Sequence, residues 1–286
     1  MRNRKLGRKR WIIPPMIIFL MVTLAVIVIT ALLAPVIAPI DLGASDLTQR
    51  LKMPKFKDPT SPYLFGTDNL GRDVAIRLLY ATRSTIMISF TGMIIATVTG
   101  TALGILSGLG GKWIDAVLSF FTDVRLSIPT TFIGIIFACI LGAKPVTTIL
   151  VMAITGWSSY CRLVRSQIFQ LKNAKFIEAS RSMGASGVKI VFEHILVNIA
   201  SPLIVQTTME LGGFILLEST LSFLGLGIEP PGTSLGVMVG LGRDYMLTHW
   251  WLAVLPSIII VVLILDISLI GDWLRDRLDP KLKNAS

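Results

Sequence analysis

Charge is scarce in this sequence. Only 15% of its 286 residues are Asp, Glu, Lys or Arg, against 53% hydrophobic ones. A water-soluble core has no use for that much apolar surface, so the composition excludes a soluble globular protein and places the chain in a bilayer. Cysteine is nearly missing. Cys139 and Cys161 stand far apart, in or beside apolar runs. That excludes a disulfide framework and a cysteine-rich metal set, and leaves them as small membrane-helix residues. Histidine is as rare: His194 and His249 fall in different polar segments, neither with a neighbouring ligand set. They read as a packing or capping residue and as an interface residue beside Trp250 and Trp251. The P-loop Gly-x-x-x-x-Gly-Lys-Ser/Thr, the zinc pair His-Glu-x-x-His and the nucleophile elbow Gly-x-Ser-x-Gly are all absent. The chain therefore lacks the usual means of holding ATP, carries no catalytic constellation, and is expected to bind no cofactor or metal itself. Acid is the scarcer charge, 17 residues against 27 basic ones. In a soluble protein the excess would point to nucleic acid. Here the basic residues cluster in short polar segments beside apolar runs, so they read as orientation signals and lipid headgroup contacts, with no nucleic-acid partner.

What is present is a series of long apolar runs. Trp11 to Ala38 follows a basic, acid-free start from Met1 to Arg10. It is too long for the core of a cleaved signal peptide, about 7–15 residues, and long enough to span, which takes about 20. It reads as an uncleaved anchor. Pro39 to Thr85 is a long polar external segment in which Gly66 and Gly71 allow tight turns and Asp68 and Asp73 suit helix starts. Val74 to Tyr80 reads as a short amphipathic interfacial helix. A second span covers Ile86–Leu109, with Gly92, Gly100 and Gly104 for close helix packing. A third runs from about Val117 to Leu141, with Asp123 and Arg125 near its inner end and Pro129 as a kink. A short fourth runs from Val146 to Tyr160, a fifth from Pro202 to Leu224 and a sixth from Trp250 to Ile270. Placing both termini in the cytosol puts 18 of the 27 basic residues inside: six at the N-terminus, Lys112 and Arg125, six from Arg162 to Lys189, and four in the tail. Seven of the rest lie in the long external loop, where five acids balance them. That asymmetry supports an all-α, six-span protein with both ends inside.

Acids within spans are costly and usually face a cavity or a partner. Glu210 and Glu218 lie eight residues apart on the fifth span, within about 80° of each other around the helix. Glu210 falls near mid-membrane. The pair reads either as a polar stripe on a translocation path or as helix-to-helix hydrogen bonding, the second being favoured for Glu218. Asp266 is placed near the inner end of the sixth span, within reach of cytosolic water. An intramembrane enzyme using these acids would lack a nucleophile or metal set. A stand-alone secondary transporter or channel with a proton path through them stays open as an alternative.

One polar segment remains, at about 172–198 between the fourth and fifth spans. It reads as helix, glycine turn, helix. Phe176, Ala179 and Met183 make an apolar stripe, Gly184 breaks the first helix, Ser186-Gly187 turns again, and Val188, Val191, Phe192 and Ile195 recur at helical spacing. A loop this short, compact and amphipathic reads either as a part that docks into a partner or as a surface helical hairpin packed under its own bundle. Glu178-Ala179-Ser180, then Gly184-Ala185, then Ile195-Leu196, resembles the EAA loop of ABC importer permeases. It departs from that loop with Ser180 for Ala and with Val197 where Pro is common. The break before the fifth span is then expected from Asn198 and Pro202. The resemblance extends along the chain. Gly66-Thr-Asp-Asn-Leu-Gly-Arg-Asp73, the Gly110-Gly-Lys-Trp-Ile-Asp115 turn, Arg162-Leu-Val-Arg165, Leu221-Ser-Phe-Leu-Gly-Leu-Gly227, Glu229-Pro-Pro231, Gly242-Arg-Asp-Tyr245 and Leu278-Asp-Pro-Lys-Leu282 are similar to strings in C-type subunits of the dipeptide, oligopeptide and nickel importers. Leu235 stands where Trp is common in those proteins.

The resemblance implies the type I ABC importer permease fold. Residues 1–60 would hold a cytosolic tail, the first span and the start of the external loop, and 61–286 the permease domain. Phe176, Glu178, Ala179, Ser180, Gly184 and Ala185 would form the loop that couples to ATPases. It further implies a paralogous permease, two cytosolic ATPases holding ATP and Mg, and an extracytoplasmic substrate-binding protein, with peptides or nickel and metal-chelate complexes as the cargo.

Overall fold

The computed structural model describes residues 13–278, and among these no strand forms. The chain opens with α1 (Pro15–Leu32), continued after a one-residue turn by the short α2 (Ala34–Ile37). A long irregular segment leads to α3 (Val74–Leu109), a single 36-residue helix. The expected interfacial helix Val74–Tyr80 is therefore the first two turns of the second span rather than a separate element. Hydropathy marks where lipid begins, not where the helix does.

Close packing of α3 on α6 (Pro145–Leu171) forms the centre. Gly92, Ala96, Gly100, Gly104 and Gly108 recur every four residues and so share one face of α3. A Cβ added at Gly92 would lie 2.6 Å from Met152 Sδ, at Gly100 2.4 Å from the Trp157 carbonyl, at Gly104 2.7 Å from Val164 Cβ and at Gly108 2.6 Å from Ile168 Cγ2. All four are closer than side chains tolerate. The stripe of small residues is what lets the two backbones meet. α6 is long because it continues beyond the expected end at Tyr160 through Arg162 and Arg165 to Leu171.

Between α3 and α6 the chain makes two helices where one kinked span is expected. α4 (Lys112–Ser127) and α5 (Thr130–Leu141) meet at 87°, broken at Ile128-Pro129. Past α6, the polar segment forms α7 (Lys175–Ser182) and α8 (Gly187–Ile190). One π-helical turn, Val191–Ile195, then joins α8 to α9 (Leu196–Phe223) without interruption. The break expected at Asn198 and Pro202 does not occur. Pro202 is carried inside the helix, as prolines are in spans where neighbours satisfy the freed backbone. The Asn198 side-chain amide donates to the His194 carbonyl at 2.6 Å. The last elements are α10 (Leu235–Arg243), within the loop after α9, and α11 (Trp251–Leu278).

Four stretches are long and apolar enough to cross a membrane: α1, α3, the joined α8–α9 and α11; the α4–α5 pair makes a fifth if it counts as one span. Among the six expected spans the exception is α6, whose first turn carries Thr147 and Thr148, whose middle carries Ser158 and Ser159, and whose second half carries Arg162 and Arg165. Large apolar side chains stand exposed along α1, α4 and α5. The basic N-terminal residues, Trp11 and residues 279–286 lie outside the described residues, so the structure does not bear on which side the ends occupy.

The motif from Gly66 to Asp73 is a clasp. Thr67 Oγ1 donates to the Gln49 carbonyl and accepts from the Lys52 N–H. Asp73 caps α3 by accepting from the Ala75 and Ile76 N–H groups, as expected. Asp68 does something else. Its Oδ1 accepts from the N–H groups of Leu70 and Arg72, and its Oδ2 pairs with Arg72 at 2.8 Å and with the buried Arg77 at 3.0 Å. Arg77 Nη2 also donates to Thr233 Oγ1, tying α3 to the loop before α10.

Candidate functional site

Two regions of this fold carry chemistry beyond packing: the polar segment around α7, and a cavity where α4, α5, α6 and α9 meet.

α7 is seated by side chains that its apolar stripe did not single out. Ile177, 1% exposed, packs into a cluster of Val164 and Ile168 from α6 and Ile190, Ile195 and Ile199 from the α8–α9 helix. Burying a side chain of that size stabilises the seat by about 1.5–3 kcal/mol. Ser180 is buried beside it, its hydroxyl 3.1 Å from His194 Nε2, and the Phe176 ring meets His194 edge-on at 6.0 Å. His194 is thus a packing and hydrogen-bonding residue of this segment. Ala185 leans on the same cluster. Gly184, at φ +83°, closes the helix: its N–H reaches the Arg181 carbonyl at 2.9 Å, and that of Ala185 the Ser180 carbonyl at 3.1 Å. This is the Schellman arrangement, which calls for glycine. The opposite face is left open. Phe176, Glu178, Ala179 and Met183 are exposed, as are Val188 and Phe192 one turn further on. Glu178 makes no ion pair among the described residues. A face with a bare acid amid exposed Phe, Ala and Met is suited to receiving another surface.

The second region is a cavity of about 310 Å³ lined by Arg125, Thr130 and Thr131 at the α4–α5 corner, by Thr155, Gly156 and Ser159 on α6, and by Glu210, Gly213, Phe214, Leu216, Leu217 and Thr220 on α9. Glu210 sits near the midpoint of α9 and Ser159 near that of α6, so the cavity lies level with the middle of the bundle. Arg125, expected near the inner end of the third span, lines this cavity from the α4 side of the corner. Arg125 Nη2 donates to Thr130 Oγ1 at 2.9 Å, and Gln206 Nε2 donates to Glu210 Oε1 at 2.9 Å.

Glu218 is not in the cavity. It is 0% exposed, accepts from Ser222 Oγ at 2.6 Å, and is ringed by Ser219, Thr85 and Ser234. It cross-links α9, α3 and the start of α10, which is the helix-to-helix alternative. Asp266, expected within reach of cytosolic water, is 4% exposed on α11 with Oδ2 unpartnered, and does not reach solvent. The three acids are therefore not gathered into one site. The signal that would have found Arg125 was Pro129 between two short apolar halves: interrupted spans are where polar sites in membrane bundles tend to form.

Residues 100–284 match the model of the family described as binding-protein-dependent transport system inner membrane component. Among curated proteins, the chain is 36% identical to the dipeptide transport system permease protein DppC of Haemophilus influenzae, over 92% of this chain and 90% of that one. It is 36% identical to the di/tripeptide transport system permease protein DppC of Pseudomonas aeruginosa, over 91% and 86%. It is 37% identical to the probable D,D-dipeptide transport system permease protein DdpC of Escherichia coli, over 92% and 88%. Among solved structures, it resembles a chain of the MetNI methionine ABC transporter in an inward-facing conformation, with a TM-score of 0.56 at 19% identity, over 71% of this chain and 96% of that one.

Proposed function

The chain belongs to the family of binding-protein-dependent transport system inner membrane components, and we propose that it is a permease subunit of an ATP-driven importer of small peptides. It would form half of the translocation pathway beside a paralogous permease, receive cargo from an extracytoplasmic binding protein, and be driven by two cytosolic ATPases that hold ATP and Mg. In this reading α6 completes six spans, both ends lie in the cytosol, and α7 is the coupling helix. The peptide assignment is taken from the names of its relatives. Nickel or metal-chelate import fits the same architecture but has no such support among the relatives described above.

The observation that carries the reading is the open face of α7. Ile177 and Ser180 hold the helix firmly from below while Phe176, Glu178, Ala179 and Met183 face outward. A docking helix must be rigid on one side and bare on the other. Alternating access then needs only a two-state bundle moved by a rigid helix. The cavity with Arg125 and Glu210 is part of the path, and Glu218 is a structural brace beside it.

The test is affinity purification of the tagged chain from native membranes in mild detergent, with mass spectrometry of proteins and small molecules. Two ATPases, a second permease and a binding protein carrying a peptide are expected. Recovery alone or as a homo-oligomer would overturn the proposal. Uptake that follows a proton gradient without ATPases would revive the secondary transporter.

A further inference from the structure

We infer that Arg125 and Glu210 form a two-ended clamp for a zwitterionic substrate, a short peptide with a free α-amino group and a free α-carboxylate, at the middle of the bundle. The inference rests on the importer reading and adds to it a binding site within this chain.

Two opposite charges line one cavity, yet they are not paired with each other: no Arg125–Glu210 contact falls within 4.0 Å. Each is held by a neutral partner, Thr130 for Arg125 and Gln206 for Glu210. Arg125 Nε is enclosed and unpartnered. Charges inside a membrane bundle are costly and ordinarily neutralise one another. Two that line one cavity without a direct contact are suited to a guest that brings the complementary pair. The geometry also gives the guest a direction. At the Arg125 end the chain turns by 87° into α5, whose first turn has no side-chain cap. The N–H groups of Phe132 and Ile133 are taken by the Pro129 carbonyl, but those of Thr130 and Thr131, with the hydroxyls of the same two residues, add donors around the guanidinium, which together favour a carboxylate. At the other end Glu210 presents a carboxylate steadied by Gln206, which favours an ammonium group. The cavity's roughly 310 Å³ is at the lower end of the range for small-molecule sites, about 300–1,000 Å³. That suits a cargo of a few residues. Glu218, enclosed by hydroxyls, takes no part.

The test uses the assembled transporter, with both permeases, the ATPases and the binding protein, in proteoliposomes. Uptake of alanyl-alanine is measured per ATP hydrolysed. Arg125→Gln and Glu210→Gln should each lower that ratio by roughly tenfold or more, the worth of one charge-assisted hydrogen bond. Arg125→Lys and Glu210→Asp, which keep the charge, should retain more than the neutral variants. An unchanged ratio in both neutral variants overturns the clamp and leaves the importer standing. A wild-type complex that hydrolyses ATP and takes up no peptide overturns the importer reading instead. A second measurement needs no variant: carbodiimide labelling of Glu210 in the wild-type complex, located by mass spectrometry. Alanyl-alanine should slow it several-fold during turnover. Labelling indifferent to the peptide overturns the clamp even where the variants fail to assemble.

Discussion

Gly184 separates two explanations of why α7 must end as it does. Its φ of +83° lies in the left-handed region, where an ordinary L residue costs about 1–2 kcal/mol and Asn pays least. A Cβ built at 184 meets nothing within 4 Å. The isolated subunit therefore offers no steric objection to a side chain, and the whole cost is conformational. Gly184→Asn should be close to wild type. Gly184→Ala should lose about 1–2 kcal/mol, a factor of about 5–30 in the population with the turn closed. Gly184→Val should lose more, since β-branching is poorly compatible with positive φ. Amide hydrogen exchange at Gly184 and Ala185, whose N–H groups close the turn, reads that population directly, and peptide uptake per ATP reads its consequence. The order wild type, Asn, Ala, Val in both measurements supports the turn. Equal loss of uptake in Asn, Ala and Val with wild-type exchange would refute it, and would mean that the side chain collides with whatever covers α7.

Three further outcomes follow from the same geometry. Glu178→Lys reverses an exposed charge that has no ion pair among the described residues, so thermal stability of the subunit should move by less than about 0.5 kcal/mol while recovery of the ATPases on purification collapses. Ile177→Ala empties the seat of α7 at a cost of about 2–5 kcal/mol, and should raise hydrogen exchange throughout Lys175–Ser182 while leaving α3 protected. Gly100→Leu drives a side chain into the Trp157 carbonyl and Tyr160, whereas Gly212→Ala makes only ordinary contacts at 3.6 Å or more. The first should abolish recovery of folded protein, the second should leave it intact, and yield after detergent extraction distinguishes them.

The apolar runs announced most of the spans, because about 20 residues of hydrocarbon-compatible sequence are hard to explain otherwise. The glycine spacing announced close helix packing along the second span, but not that its partner would be α6. The ends were much harder to read. α3 begins twelve residues before its apolar run and α6 ends eleven after its own, because a helix continues wherever its backbone bonds are met, with or without lipid around it. Pro129 marked a disturbance, but a proline alone does not distinguish a gentle kink from an 87° corner; the packing of both halves decides that. Arg125 reads as a residue near the inner end of one kinked span, and only the corner makes it the wall of a cavity shared with Glu210. The seat of α7 was hidden for a related reason. Its exposed residues form the conspicuous stripe, while Ile177 looks like any other isoleucine until Ile190, Ile195 and Ile199 are brought beside it.

Val197 in place of the commoner Pro, and the uninterrupted helix that results, link the two regions mechanically. α7 rests on Ile190, Ile195 and Ile199, and these belong to the continuous stretch Gly187–Phe223 that also carries Glu210. From Ile195 to Glu210 is fifteen residues, about 22 Å of helix. A hinge at Asn198 or Pro202 would have let α7 move without disturbing the cavity. A rigid helix cannot do that: tilting its α7 end displaces the wall bearing Glu210 relative to the α4–α5 corner bearing Arg125. The gap between the two charges would then differ between the bundle's two states, so a clamp across it would hold its guest in one and release it in the other. Two irregularities lie along this lever, the π turn at Val191–Ile195 and Pro202. The π turn falls on the α7 side of Ile199 and Glu210 and puts its compliance at the α7 end, whereas Pro202 falls between Ile199 and Glu210, where the packing of α9 on α11 and α3 stiffens the helix.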